Sequence, residues 1–152
     1  MTKNVLEKDI ITVRMSGIEK EISELEKLGK QPLAEFQNGD GYKLAQYHLH
    51  RALEGVFNIT SHILSRIPGS SVSGYRQMAV SLGEAEIVPK DFAQKNLSNM
   101  AKYRNRLVHF YAEITPKELY EIIHSNLLDF DIFLSSVKKV LENPKQFGLY
   151  VE

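Results

Sequence analysis

The chain has no cysteine and no tryptophan among its 152 residues, and no excess of either charge, with 19 Lys and Arg against 19 Asp and Glu. The missing cysteines exclude a disulfide scaffold, a thiol nucleophile and any Cys-ligated zinc. Zero net charge, taken alone, gives no reason to expect a phosphate-binding protein. Long apolar runs are absent too. No stretch approaches the ~18 residues of a membrane span, and the opening Met-Thr-Lys-Asn-Val-Leu-Glu-Lys-Asp lacks the continuous apolar core of a signal peptide. These absences predict a cytoplasmic protein that makes no membrane contact. There is no internal repeat and no low-complexity tract. What is present, 43% apolar and 25% charged residues, is ordinary globular composition, and the length predicts one domain over residues 1–152.

Apolar residues recur at alternating spacings of four and three, the pattern of a helical stripe rather than a strand face. The first stripe is Ile11, Met15, Ile18, Ile22, Leu25, with Gly29 as the expected C-cap. A breaker region with Pro32, Gly39 and Gly41 follows. The second stripe, Ala45, Leu49, Ala52, Val56, Ile59, Ile63, has Asp40 as its expected N-cap. A short helix is expected around Tyr75–Leu82, then a turn near Gly83 and a stop at Pro89. The next helix is expected from Pro89 or Lys90 to about Tyr111. Thr115-Pro116-Lys117-Glu118 combines a capping threonine, proline at the first helical position and glutamate three residues after the cap. From there one stripe runs through Leu119, Ile123, Asn126, Phe130, Phe133, Val137 and Val140 until Asn143-Pro144. The expectation is an all-α protein, an antiparallel four-helix bundle with one extra short helix.

Within the helix of residues 90–111, counting ~100° per residue from Ala93 places Leu97, Met100, Leu107, Val108 and Tyr111 on the buried stripe, and Arg104 in its middle. A guanidinium there is costly unless it is paired or faces a cavity or a partner. It can snorkel, or pair with a carboxylate of another helix. Asn105 and His109, four residues apart, share a face beside that seam, on the side carrying Lys95, Lys102 and Arg106. Residues 90–110 hold Lys90, Lys95, Lys102, Arg104 and Arg106 against Asp91 alone, a balance of +4. Residues 113–142 hold six acids, Glu113, Glu118, Glu121, Asp129, Asp131 and Glu142, against three lysines, Lys117, Lys138 and Lys139. The neutral total conceals a basic segment beside an acidic one. Arginine can grip a phosphate bidentately, and histidine moves protons near neutral pH.

The run Met100-Ala101-Lys102-Tyr103-Arg104-Asn105-Arg106-Leu107-Val108-His109-Phe110-Tyr111 closely resembles the signature of the HepT-like ribonuclease toxins, a branch of the HEPN superfamily. That signature is arginine, four to six residues, then histidine, with a polar residue after the arginine and, in this branch, a tyrosine two residues beyond the histidine. Arg51-Ala52-Leu53-Glu54, on a run ending in Ser61-His62-Ile63-Leu64, is similar to the family's second helix. Gly74-Tyr75-Arg76-Gln77-Met78 is similar to its Tyr-Arg segment, without the proline that often precedes the tyrosine. The resemblance covers roughly residues 40–140.

The resemblance implies an HEPN-like fold and a metal-independent endoribonuclease, the toxin of a type VII-like toxin–antitoxin pair, acting on RNA as a homodimer whose two motifs face one cleft. By this implication Arg104, Asn105 and His109 are catalytic, Lys102 and Arg106 contact RNA, and no cofactor is needed. The partner is an MNT-domain nucleotidyltransferase antitoxin that transfers AMP to Tyr111, adding bulk and negative charge beside His109. Arg104 and His109 lie five residues apart, about 140° around an ideal helix. They can converge through arginine's reach, through distortion at the helix end, or by pairing across a dimer. A non-catalytic helical dimer serving a nucleotidyltransferase as its substrate or binding subunit is the alternative. His48, His50, His62 and His124 read as surface or packing residues rather than metal ligands. Asn126 reads as a buried polar residue setting register, and Glu19 to Lys27 as a solvated helix face.

Overall fold

The two stripes of the first half fold as antiparallel helices. In the computed structural model, which describes residues 4–70, 72–109 and 113–152, α1 spans Lys8–Gly29, α2 Leu33–Asn38 and α3 Gly41–Ser65. Ile11, Ile18, Ile22 and Leu25 of α1 meet Ala45, Leu49, Ala52, Val56, Ile59 and Ile63 of α3 in one buried core. A fully buried aliphatic side chain of this kind contributes about 1.5–3 kcal/mol. The helices pack tightly at Gly55, where a Cβ would lie 2.6 Å from Ile18 Cγ1. Asp40 holds the expected N-cap position of α3, but its side chain makes no capping hydrogen bond. The helix α2 was not expected. It is six residues long and carries one buried side chain, Phe36, too few to make a period.

Next, α4 spans Tyr75–Glu84, α5 Lys90–Phe92 and α6 Ser98–Val108, with a π turn at Ala93–Leu97 joining the last two into one rod. Ser98 directs both its N–H and its hydroxyl at the Ala93 carbonyl, the hydroxyl at 2.8 Å. This fixes the wider turn. α4 runs back along the rod, with Gly83 against Ala93 and Tyr75 against Arg104. A Cβ on Gly83 would lie 2.5 Å from that of Ala93, so glycine permits this packing.

Helix α6 ends at Val108, earlier than expected, and His109 takes an extended backbone (φ −103°, ψ 117°). Val108, expected to be buried, is 38% exposed, because it lies one turn beyond the point where α4 begins. Thr115 caps α7, Pro116–Ser125, by accepting from the Glu118 N–H at 3.1 Å. The expected single last helix is in fact two, α7 and α8, the latter Leu128–Glu142. Asn126 marks the break: its N–H donates to the Ile122 carbonyl (2.8 Å) and its own carbonyl accepts from the Asp129 N–H (3.1 Å). It ends a helix rather than setting the register of a continuous seam. A two-residue parallel pair, β1 (Val5–Leu6) with β2 (Tyr150–Val151), joins the two ends of the chain. Strands this short leave no period in the sequence. The architecture is an all-α bundle of α1, α3, the α5–α6 rod and the broken α7–α8.

Candidate active site

Arg104 is turned inward and paired, as a carboxylate from another helix would require. Its Nε donates to Glu54 Oε1 of α3 at 2.6 Å, and its guanidinium carbon lies 4.1 Å from the centre of the Tyr75 ring. Tyr75 in turn meets the buried Phe57 edge-on, with ring centres 5.3 Å apart. The arginine is thereby held on one side by charge and on one face by a ring that the core braces. Its Nη1 reaches Asn105 Oδ1 at 3.4 Å. Glu54 Oε1 is also 3.7 Å from His50 Nε2, one turn earlier on α3.

Asn105, His109, Lys102 and Arg106 line one open cleft of ≈ 520 Å³ between α4 and the α5–α6 rod, together with Arg76 and Gln94. Arg104 does not line it. His109 also borders a second pocket of ≈ 340 Å³, shared with Tyr47 and His50 of α3. Because α6 stops at Val108, His109 leaves the helix while its N–H still bonds the Asn105 carbonyl at 3.0 Å. Distortion at the helix end is therefore present: Arg104 turns to Glu54 of α3 and Tyr75 of α4, while His109 borders both the cleft and the pocket that holds His50.

Arg106, expected at an RNA, is braced within the fold. Two of its nitrogens donate to the two oxygens of Glu118 at 2.6 and 2.7 Å, and one reaches the Glu113 carbonyl at 3.1 Å. This fork holds the Glu118 carboxyl below its ordinary range and raises the arginine. The capped start of α7 and the motif helix are thus tied together. Tyr111 lies outside the described residues.

The remaining histidines divide as packing and surface groups. His62 is buried and accepts the Glu7 N–H at 3.1 Å. Burial and the nearby Arg66 hold it below its ordinary pKa. His124 is exposed and its Nδ1 lies 2.6 Å from the Tyr120 carbonyl. His48 meets Glu21 at 2.7 Å, and Glu21 also accepts from Arg51; this glutamate belongs to the α1–α3 contact rather than to a wholly solvated face. Among the described residues no group of three or more histidines and acids has an arrangement suited to a metal ion. Residue-by-residue reading missed Glu54, Tyr75 and Arg76 as site residues. The one signal for them was that they stand in the two flanking segments that carry the family resemblance.

The family model described as ribonuclease HepT-like matches residues 18–137. The tRNA nuclease HepT of Aphanizomenon flos-aquae is 25% identical over 138 residues, covering 90% of this chain and 92% of that protein. Among solved structures, a toxin–antitoxin with AMP-PNP superposes with a TM-score of 0.77 at 20% identity, over 86% of this chain and 98% of its own. The tri-AMPylated Shewanella oneidensis HEPN toxin in complex with MNT antitoxin gives 0.73 at 24% identity, over 86% and 98%. The cytosolic protein YutE of Bacillus subtilis gives 0.78 at 17% identity, over 91% and 93%.

Proposed function

The chain belongs to the HepT-like ribonuclease family, and we propose that it is a metal-independent endoribonuclease, the cytoplasmic toxin of a toxin–antitoxin pair, with Arg104, Asn105 and His109 as its catalytic residues. The observation that carries this reading is the arginine clamp at a helix end. Glu54 and Tyr75 fix Arg104, while α6 stops so that His109 projects into a basic cleft beside Asn105. His109 serves as acid or base: it takes the proton of a ribose 2′-hydroxyl, or gives one to the leaving 5′-oxygen. The 2′-oxygen bonds to phosphorus as the bond from phosphorus to the 5′-oxygen breaks. Arg104 stabilises the charge that grows on the phosphoryl oxygens, and Asn105 orients the arginine. Lys102, and Arg106 through whatever of its fork Glu118 leaves available, attract the strand.

The protein acts as a homodimer in this reading. Arg104 and His109 are about 140° apart around an ideal helix, and a motif near a twofold axis would place each histidine near the other chain's arginine. The likeness to toxin–antitoxin complexes supports an MNT-domain antitoxin as partner. We assign Tyr111 as the tyrosine it adenylylates. AMP there, two residues from His109 in the sequence, would add bulk and negative charge that oppose RNA.

Wild type, Arg104→Ala and His109→Ala are to be compared for growth arrest and for cleavage of purified RNA in chelator. Each variant is expected to lose 10²–10⁴-fold of the cleavage rate while staying folded. Toxicity surviving in both folded variants would favour the non-catalytic subunit instead. Incubation with the nucleotidyltransferase and ATP, followed by peptide mass analysis, should find AMP on Tyr111; an unmodified peptide counts against that role.

A further inference from the structure

We propose that a single RNA strand lies along α6 from His109 to the π turn, anchored by Arg76 from α4 as well as by Lys102. This rests on the nuclease reading and adds the strand's path and a second phosphate anchor. Gln94, Ser98, Lys102, Asn105 and His109 follow one another at steps of four, four, three and four residues. They form a single polar stripe, and all five line the same cleft. At a rise of 1.5 Å per residue the stripe is about 20 Å long, the reach of several nucleotides rather than one.

The cleft's charge has one sign. Its lining includes Arg76 and Lys102 from two helices and, among the described residues, no carboxylate. Both are exposed, and neither makes an ion pair with a described residue. Lys102 acts on Glu118 only at a distance, and in contrast to Arg104 neither cation is gripped by a carboxylate among the described residues. At the far end, the π turn commits the Ser98 hydroxyl to the Ala93 carbonyl and presents the exposed Gln94, whose amide can both donate and accept. Such turns recur at functional sites. Among the described residues the lining holds no Phe, Tyr or Trp, and its one aromatic group is the imidazole of His109. The strand is held through its phosphates at the two cations, and the amides of Gln94, Asn99 and Asn105 are placed to meet its polar groups along the cleft.

The test is binding of a fluorescent 2′-O-methyl oligonucleotide, which lacks the attacking hydroxyl, followed by anisotropy across a salt series. Arg76→Ala should weaken binding about tenfold, as for one lost charge-assisted hydrogen bond. It should also reduce the slope of log affinity against log salt by about 0.7. Lys20→Ala, on the exposed face of α1, should change neither. Because Arg76 is exposed, circular dichroism should show both variants folded. An Arg76→Ala protein that cuts RNA and binds the oligonucleotide with wild-type slope overturns the path and leaves the nuclease reading standing. Arg76-dependent binding by a wild type that cuts nothing supports the path and removes the nuclease. Wild-type oligonucleotide binding by Arg76→Ala, with loss of the antitoxin partner, assigns the cleft to a protein and overturns the proposal.

Discussion

Arg104 is half-way between a structural and a chemical residue, and Glu54 decides which it can be. The pair is partly exposed, with 17% and 32% of the two side chains accessible, so its contribution to stability is about 1 kcal/mol or less. Its larger effect is geometric. A guanidinium held at Nε and stacked on Tyr75 has few orientations left, and its Nη1 is turned to Asn105. Glu54→Gln is therefore expected to lower kcat at least tenfold, the share of a lost orientation, while RNA binding is unchanged or tighter because one negative charge is gone. Steady-state cleavage that separates kcat from KM, with a thermal melt showing a shift of only a few degrees, checks this. Arg104→Lys should not substitute, since an ammonium lacks the planar fork. The sequence made Arg104 conspicuous as a cation in an apolar stripe. It could not supply the partner, because Glu54 lies 50 residues away and carboxylates on helix surfaces are common.

Between elements, the decisive contact is that of α4 with the π turn, because it lays α4 along the rod and so brings Arg76, beside Tyr75, to the Arg104 end of the cleft. Gly83→Ala would drive a methyl to within 2.5 Å of Ala93 Cβ, a rigid atom that no rotamer change can move aside. The expected loss is about 1–3 kcal/mol, read from urea denaturation. Adding Ala93→Gly should recover part of it despite the helix penalty of about 1 kcal/mol. Failure of the double variant to recover anything would show that the loss has another origin. The long stripes of α1 and α3 and the Thr115 cap were legible because each repeats one physical demand over several turns or meets it with a specific side chain. The π turn was not, since Ala-Gln-Lys-Asn-Leu differs in no way from ordinary helix. Nor was the break at Asn126, because α7 and α8 both face one core and the four–three spacing runs on unbroken through it.

Over the whole molecule, the equal count of charges resolves into a division of labour. Arg104 and Arg106 of the motif helix are matched by Glu54 and Glu118, and it is Lys102 and Arg76 that stay open to solvent at the cleft. A second molecule-wide feature is the seam where the chain's ends meet, held by His62. Its folded pKa lies below the ordinary 6.5, through burial first and then Arg66 and Arg14, with Glu7 opposing. The unfolded chain thus binds the proton more readily. Stability is full above about 6.5 and falls as pH drops through that value toward the folded one. His62→Gln, which keeps an acceptor for the Glu7 N–H, should flatten this part of the curve in urea titrations at pH 7.5 and 5.5; an unchanged slope would place the titration elsewhere. The β1–β2 pair has one further effect. Parallel strands need a crossover, and here the crossover is the entire helical bundle, so the pair links Val5 to Tyr150. Closing so long a loop costs only logarithmically more than a short one, but it has to wait. On the ribosome the first strand stays without its partner until Tyr150 and Val151 have been made.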